Sequence, residues 1–270
     1  MTSKPVVSLR NATKTYGGIA ALADADFDLL PGEIHALVGE NGAGKSTLCK
    51  LLAGVTAPSQ GEIRIDGEIV RLAAPKDASR RGISMVYQET SLVPQLTVAQ
   101  NIVLGREGPF NSVRKVRNAA RQVLQRLNFK VDPAQLAGTL SAAKRQMVEI
   151  ARAVLNEARV IIFDEPTAAL TPEETEHLFD LMRSLKRNGV GMVFISHALE
   201  EALTHADRIT VLRNGRIVGT GPAASFNRAS LIRNMIGEDL VERASAPTAP
   251  RAASTAVPVL QVENIRMGAM

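Results

Sequence analysis

One run of eight residues constrains this chain more than any other feature. Gly39, Glu40, Asn41, Gly42, Ala43, Gly44, Lys45 and Ser46 fit the spacing G-x-x-x-x-G-K-[ST], with Thr47 next. An apolar run at 34–38 leads into it, and a helical pattern at 45–53 leaves it. Strand, glycine loop and helix in direct succession is the layout of α/β folds that hold phosphorylated ligands. Glycines let the backbone curl until successive N–H groups converge on phosphate oxygens, with the positive end of the helix dipole behind them. Lys45 is expected to reach the terminal phosphates as a point charge, and Ser46 to offer its hydroxyl to Mg²⁺. A bare glycine turn is the alternative, and the strand and helix in register argue against it. Cys49, just inside the helix, reads as a packed core residue.

The rest of the chain alternates short Val- and Ile-rich runs with helical patterns. Strands are predicted at 6–9, 34–38, 62–65, 83–87, 160–163, 191–195, 208–212 and 216–220. Helices are predicted at 45–53, 98–104, 113–127, 142–156, 172–188 and 199–206. Between 94 and 156 the strand signals stop, which reads as a helical subdomain set into an α/β core. In the helix at 113–127, Val113, Val116, Ala120, Val123, Leu124 and Leu127 share one side, and Arg114, Lys115, Arg117, Arg121 and Arg126 lie mainly on the others. A solvated face explains such a helix, and so does a docking face for a partner.

Composition sets outer limits. With 270 residues, 45% of them hydrophobic, the chain can bury one substantial core with a subdomain inserted or appended. No run of 18 apolar residues occurs, and the N-terminal residues lack the pattern of a secretory signal. One cysteine makes neither an intramolecular disulfide nor a cysteine metal cluster, which suits a reducing compartment. The formal charge of +5 suits phosphate ligands; a nucleic-acid or anionic membrane surface needs a clustered basic face. Aromatics at 3%, with no Trp, argue against a platform that stacks single-stranded bases.

Two acids close a buried strand pattern: Asp164 and Glu165, after the apolar run at 160–163. At the C-terminal end of a parallel strand, side chains emerge at the edge where ligands bind. Asp164 is placed to hold Mg²⁺, and Glu165 to polarise a water that attacks the terminal phosphate. An acid pair after a strand also makes a helix cap, and the glycine loop upstream favours the ligand reading. His197 follows the strand at 191–195 and is read as a contact to the same phosphate. Gln88, after the strand at 83–87, could ligate Mg²⁺ or the water through its amide oxygen.

Together these segments resemble the ABC-transporter ATPase family over most of the chain. Tyr16 is similar to the aromatic that stacks on adenine, residues 39–46 to the Walker A loop, and Gln88 to the Q-loop glutamine. Ser141, in the segment 140–146, resembles the signature serine; Asp164 and Glu165 resemble the Walker B end, and His197 the switch histidine. The resemblance implies a P-loop (RecA-like) α/β core, an N-terminal antiparallel β subdomain and an inserted ABC-type helical subdomain. It implies ATP hydrolysis with Mg²⁺ held by Ser46, Gln88 and Asp164, and catalysis by Glu165, His197, Lys45 and Gln88. Ser141 and Ala143 are implied to contact the ATP of a second cassette. The signature departs from its usual Leu-Ser-Gly-Gly-Gln: Ala142 and Ala143 replace the glycines, and Lys144 the glutamine. Thr171 stands where the family commonly has Asp. The implied consequences are slower turnover at the site this signature completes and a weaker contact across the dimer.

Segments 88–107, 146–152, 166–171 and 206–215 are similar to the monosaccharide-importer branch, the ribose, xylose and galactose type, whose chains carry two cassettes. An Ala-, Pro- and Ser-rich stretch reads as a linker at 241–257, and residues 258–265 echo residues 5–12. The expected organisation is one cassette at 5–240 and the first strand of a second at 258–270. The resemblance implies a permease, a second cassette and, indirectly, an extracytoplasmic sugar-binding protein as partners, with no nucleic acid. The expected place is the cytoplasmic face of a bacterial inner membrane, as a peripheral subunit. Two alternatives stay open: a nucleic-acid- or ribosome-associated ATPase of the same fold, and a degenerate regulatory module.

Overall fold

The computed structural model describes residues 4–87, 91–105 and 112–237. Gln88, the linker at 241–257 and the strand predicted at 258–270 lie outside the described residues. Strands β1 (Val7–Tyr16), β2 (Ile19–Leu29), β4 (Gln60–Ile65) and β5 (Glu68–Val70) form an antiparallel sheet in the order β2-β1-β4-β5. A second sheet has the order β10-β9-β3-β8-β7-β6, from β3 (Ile34–Val38), β6 (Ile83–Val86), β7 (Val160–Phe163), β8 (Gly191–Ile195), β9 (Arg208–Arg213) and β10 (Arg216–Pro222). Its strands are parallel except β10, which runs antiparallel to β9 at the edge. This is the α/β P-loop class with an antiparallel β subdomain.

The central strands β3, β7 and β8 are buried at every position. Such continuous apolar runs suit a sheet covered on both faces. Alternation then divides the core in two. Ile161, Phe163 and Phe194 face one cluster, and Val160, Ile162 and Val193 the other. The first is covered by α3 (Val98–Val103), α4 (Val113–Arg126), α5 (Ala142–Leu155), α6 (Pro172–Arg187), α7 (Leu199–His205) and α8 (Arg228–Ile236). The second is covered by α1 (Lys45–Leu52), α2 (Pro75–Arg80) and the antiparallel sheet. Cys49 is fully buried in this second layer.

Several expectations need correction. The first strand runs Val7–Tyr16 rather than 6–9, and β2, β5, α2 and α8 were not anticipated. In α4 the predicted apolar side holds at Ala120, Val123 and Leu124, but Val113 is 73% exposed because it sits on the helix's first residue, beyond the packed turn. Segments α3 to α5 lie in the chain between β6 and β7, and α3 packs on both α4 and α5.

Candidate functional site

Three neighbouring strands, β3, β8 and β7 in that spatial order, end at one edge of the parallel sheet. Their exits carry the glycine loop, His197, and the Asp164–Glu165 pair respectively. Topology alone therefore gathers residues scattered over 150 positions of sequence.

The loop from Gly39 to Gly44 takes backbone conformations that side chains resist. A Cβ on Gly39 would sit 2.4 Å from the Leu212 carbonyl oxygen, and one on Gly44 2.8 Å from that of Ala21. Gly44 caps α1 with φ 103° and brings no side-chain cap, and no acid stands in the first turn. The amides at this helix end are thus left for an anion. Lys45 is 5% exposed, and its Nζ donates to the carbonyl oxygens of Gly39 at 2.7 Å and Glu40 at 2.9 Å. Burial lowers its pKa, opposed by the nearby carboxylates of Glu165 and Asp164.

Asp164 leaves β7 with its carboxyl held above the usual carboxylate range, first by burial and then by the charge of Glu165; a hydrogen bond from Ser46 works the other way. Hard oxygen donors, one hydroxyl and one carboxylate, suit Mg²⁺, which keeps several waters and binds phosphate oxygens alongside. Glu165 has φ 51°, a left-handed conformation costly for a non-glycine residue. Its Oε1 lies 2.6 Å from His197 Nε2. Backbone strain at this one residue accompanies a direct link between the β7 and β8 exits.

Sequence reading missed the residue that ties those exits together. Glu201, in the first turn of α7, accepts through Oε2 from Ser196 Oγ at 2.5 Å and from Thr167 Oγ1 at 3.1 Å. One carboxylate oxygen thus holds the loop after Glu165 and the loop before His197. No local pattern announces this, because it depends on two loops converging.

The remaining predicted residues lie apart from this cluster. Tyr16 ends β1, half exposed, with Lys14 Nζ 5.2 Å from its ring centre. Ser141 caps α5, its Oγ accepting from Lys144 N–H at 3.4 Å. Ala143 is 5% exposed, so a contact from that position to anything outside comes through its backbone. Among the described residues no hydrogen bond joins the turn 141–144 to the glycine loop. Thr171 caps α6 in a reciprocal pair with Glu174, at 3.3 and 2.9 Å. Threonine there supplies the cap that aspartate also makes.

A cleft of about 220 Å³ opens beside the edge strand β6, lined among others by Tyr87, Leu104, Glu149, Arg152 and Asn156. Glu149 is 1% exposed; its Oε1 accepts from Ser91 N–H and Oγ–H at 2.6 and 2.7 Å. Burial pushes this carboxyl up. Among the described residues its Oε2 and the Asn156 Oδ1 have no hydrogen-bond partner.

Comparison with known proteins bears on the family and the fold. The family described as "ABC transporter" matches residues 22–168. Ribose import ATP-binding protein RbsA 1 of Rubrobacter xylanophilus is 50% identical over 243 residues, covering 89% of this chain and 48% of that protein. A putative ribose/galactose/methyl galactoside import ATP-binding protein of Rhizobium meliloti is 46% identical, covering 87% of this chain and 47% of its own. The chain spans about half the length of the curated relatives it matches. A bacterial ABC transporter cassette solved as a dimer superposes with TM-score 0.71 at 27% identity, over 82% of this chain and all of that one.

Proposed function

The chain belongs to the ABC transporter family, and from that premise we propose that it is the ATP-hydrolysing cassette of a sugar importer. The observation that carries the reading is the meeting of Lys45, the Ser46–Asp164 pair and the Glu165–His197 pair at one sheet edge. The names of its relatives, which mention ribose and galactose import, support a sugar as cargo.

In this reading the loop amides and α1 take the phosphates, and Tyr16 takes the adenine face. Lys45 exchanges two loop carbonyls for the terminal phosphates, so its ammonium is already desolvated when ATP arrives. Ser46 and Asp164, with Gln88, hold Mg²⁺, which when bound neutralises phosphate charge. Glu165 orients a water and accepts its proton at a carboxylate oxygen as the water oxygen bonds to the γ-phosphorus. The bond from that phosphorus to the bridging oxygen breaks, and ADP leaves with the electron pair. His197 donates to the transferred phosphoryl group while Glu165 fixes its ring.

The exposed turn at Ser141 serves the ATP of a second cassette, supplied by a tandem copy or a second chain. Residues 5–240 form the cassette, 94–156 its helical insert, 241–257 a linker and 258–270 the start of the next copy. A permease docks at the cleft beside Tyr87 and the helical insert, holding the cassette as a peripheral subunit at the cytoplasmic face of a bacterial inner membrane. The buried acceptors Glu149 Oε2 and Asn156 Oδ1 fit a partner that brings hydrogen-bond donors. An extracytoplasmic binding protein delivers the sugar.

The test is Glu165→Gln. ATP binding is retained and hydrolysis slows at least about tenfold, roughly 1.4 kcal/mol of barrier. Unchanged turnover removes Glu165 from the chemistry.

A further inference from the structure

Charge on this molecule is distributed unevenly in a way the ATP site does not use. Helix α4 carries Arg114, Lys115, Arg117, Arg121 and Arg126 and no Asp or Glu. These five cations equal the formal net charge of the whole chain, +5. All five are exposed, and among the described residues none is ion-paired. Elsewhere Arg159, Arg183, Arg216 and Arg228 pair with Asp66, Asp180, Asp24 and Glu200, while exposed Arg10, Arg71 and Arg81 stand singly and unpaired among the described residues; what sets α4 apart is five unpaired cations on one helix.

The placement on α4 works against the helix itself. Arg114, Arg117 and Arg121 follow at spacings of three and four, so they form one line along the surface and repel one another. Arg114 and Lys115 also sit in the first turn, at the positive end of the helix dipole. Helix α6 shows the opposite, stabilising order: Glu173 and Glu174 in its first turn, Lys186 and Arg187 in its last. A row of cations maintained against both effects fits an anionic surface that relieves them. Apolar groups flank the row. Val113 is 73% exposed, and beside it a mainly apolar groove of about 430 Å³ is lined by Leu96, Val103, Leu104 and Val116, with Thr97, Gln100 and Arg117.

We propose that the basic line of α4 binds anionic phospholipid headgroups and seats the cassette against the membrane. The inference rests on the importer reading for the presence of a membrane nearby. Headgroups present a plane of mobile charge that a straight row of three guanidiniums, roughly 10 Å long, can meet without sequence-specific contacts. Val113 and the apolar groove match the boundary between headgroups and acyl chains.

The experiment is flotation of the full chain with phosphatidylcholine vesicles carrying about one-third phosphatidylglycerol, without nucleotide or permease. The chain partitions onto these vesicles and not onto pure phosphatidylcholine, and added salt releases it. The triple variant Arg114→Gln, Arg117→Gln, Arg121→Gln loses about a hundredfold in partitioning, at about fivefold per charge. The matching triple Arg→Lys variant keeps binding and melts like the parent, and the Gln triple melts no lower, since it loses only exposed charges that repel one another. Equal binding to both vesicle types overturns the proposal, and so does a Gln triple that still binds like the parent. Preferential capture by a DNA duplex competitor, lost in the Gln triple, overturns it in favour of nucleic acid. ATP binding reports separately on the cassette reading, so the two fail independently.

Discussion

The phosphate edge and the signature turn belong to one chain but are built differently. At the phosphate edge the residues are tied to one another: Lys45 to the loop carbonyls, Glu165 to His197, and both flanking loops to Glu201. At the signature turn Ser141 and Lys144 are exposed and joined by one long hydrogen bond, with no other side-chain partner among the described residues. The first region is preorganised for a ligand that arrives. The second has the form of half an interface. On the proposed reading, the chemistry lies within the chain and its control in a partner.

The largest expected effect breaks the comparison if it appears on the wrong side. Lys45→Ala weakens ATP binding by about 10- to 100-fold, the worth of roughly 1.5–3 kcal/mol for hydrogen bonds to a charged group, read by calorimetric titration. Ser141→Ala in the chain alone leaves that affinity unchanged. Glu201→Ala comes next. It lowers kcat about tenfold with little change in KM for ATP, because Glu201 acts through the loops it holds at Ser196 and Thr167. An equal rise in KM would make Glu201 a binding residue instead. Asp164→Asn sharpens the contrast through stability. Burial and Glu165 make the Asp164 charge costly in the free protein, so the amide raises the thermal midpoint by about 2–4 °C per kcal/mol gained, while Mg²⁺-dependent hydrolysis is lost. The smallest effect is Ser141→Ala on folding, where losing the helix cap costs about 1 kcal/mol, seen as a lower denaturation midpoint.

What the sequence revealed follows the same division. The glycine loop, the acid pair and His197 were legible because each follows an apolar strand directly, and parallel strands deliver their exits to one edge. The strand β2 was not legible at 19–29 because Ala and Asp, both poor strand formers, fill most of it. Yet Asp24, Asp26 and Asp28 alternate with the buried Ala25, Phe27 and Leu29, and Gly17–Gly18 is a hairpin turn, so the signals were present. Helices α2 and α8 fully bury one apolar residue each, Ala78 and Leu231, so no apolar stripe declares them, whereas α3, as short as α2, buries Val98, Ala99, Ile102 and Val103. Glu201 and the buried Glu149 were invisible for a different reason. Glu201 reaches Thr167, 34 positions away, and Glu149 reaches Ser91, 58 positions away, and only the folded chain brings those partners near.

Whether the signature turn works on another chain's ATP is tested most directly by mixing two disabled chains. Lys45→Ala keeps an intact signature turn but loses its own ATP; Ser141→Arg keeps the phosphate edge but blocks the turn. Each alone hydrolyses almost nothing. Mixed in equal amounts, about half the dimers pair one of each and hold one working site of two, so about a quarter of the parent ATPase rate returns. A mixture as inactive as its components, under conditions where the parent chain hydrolyses ATP, contradicts the account.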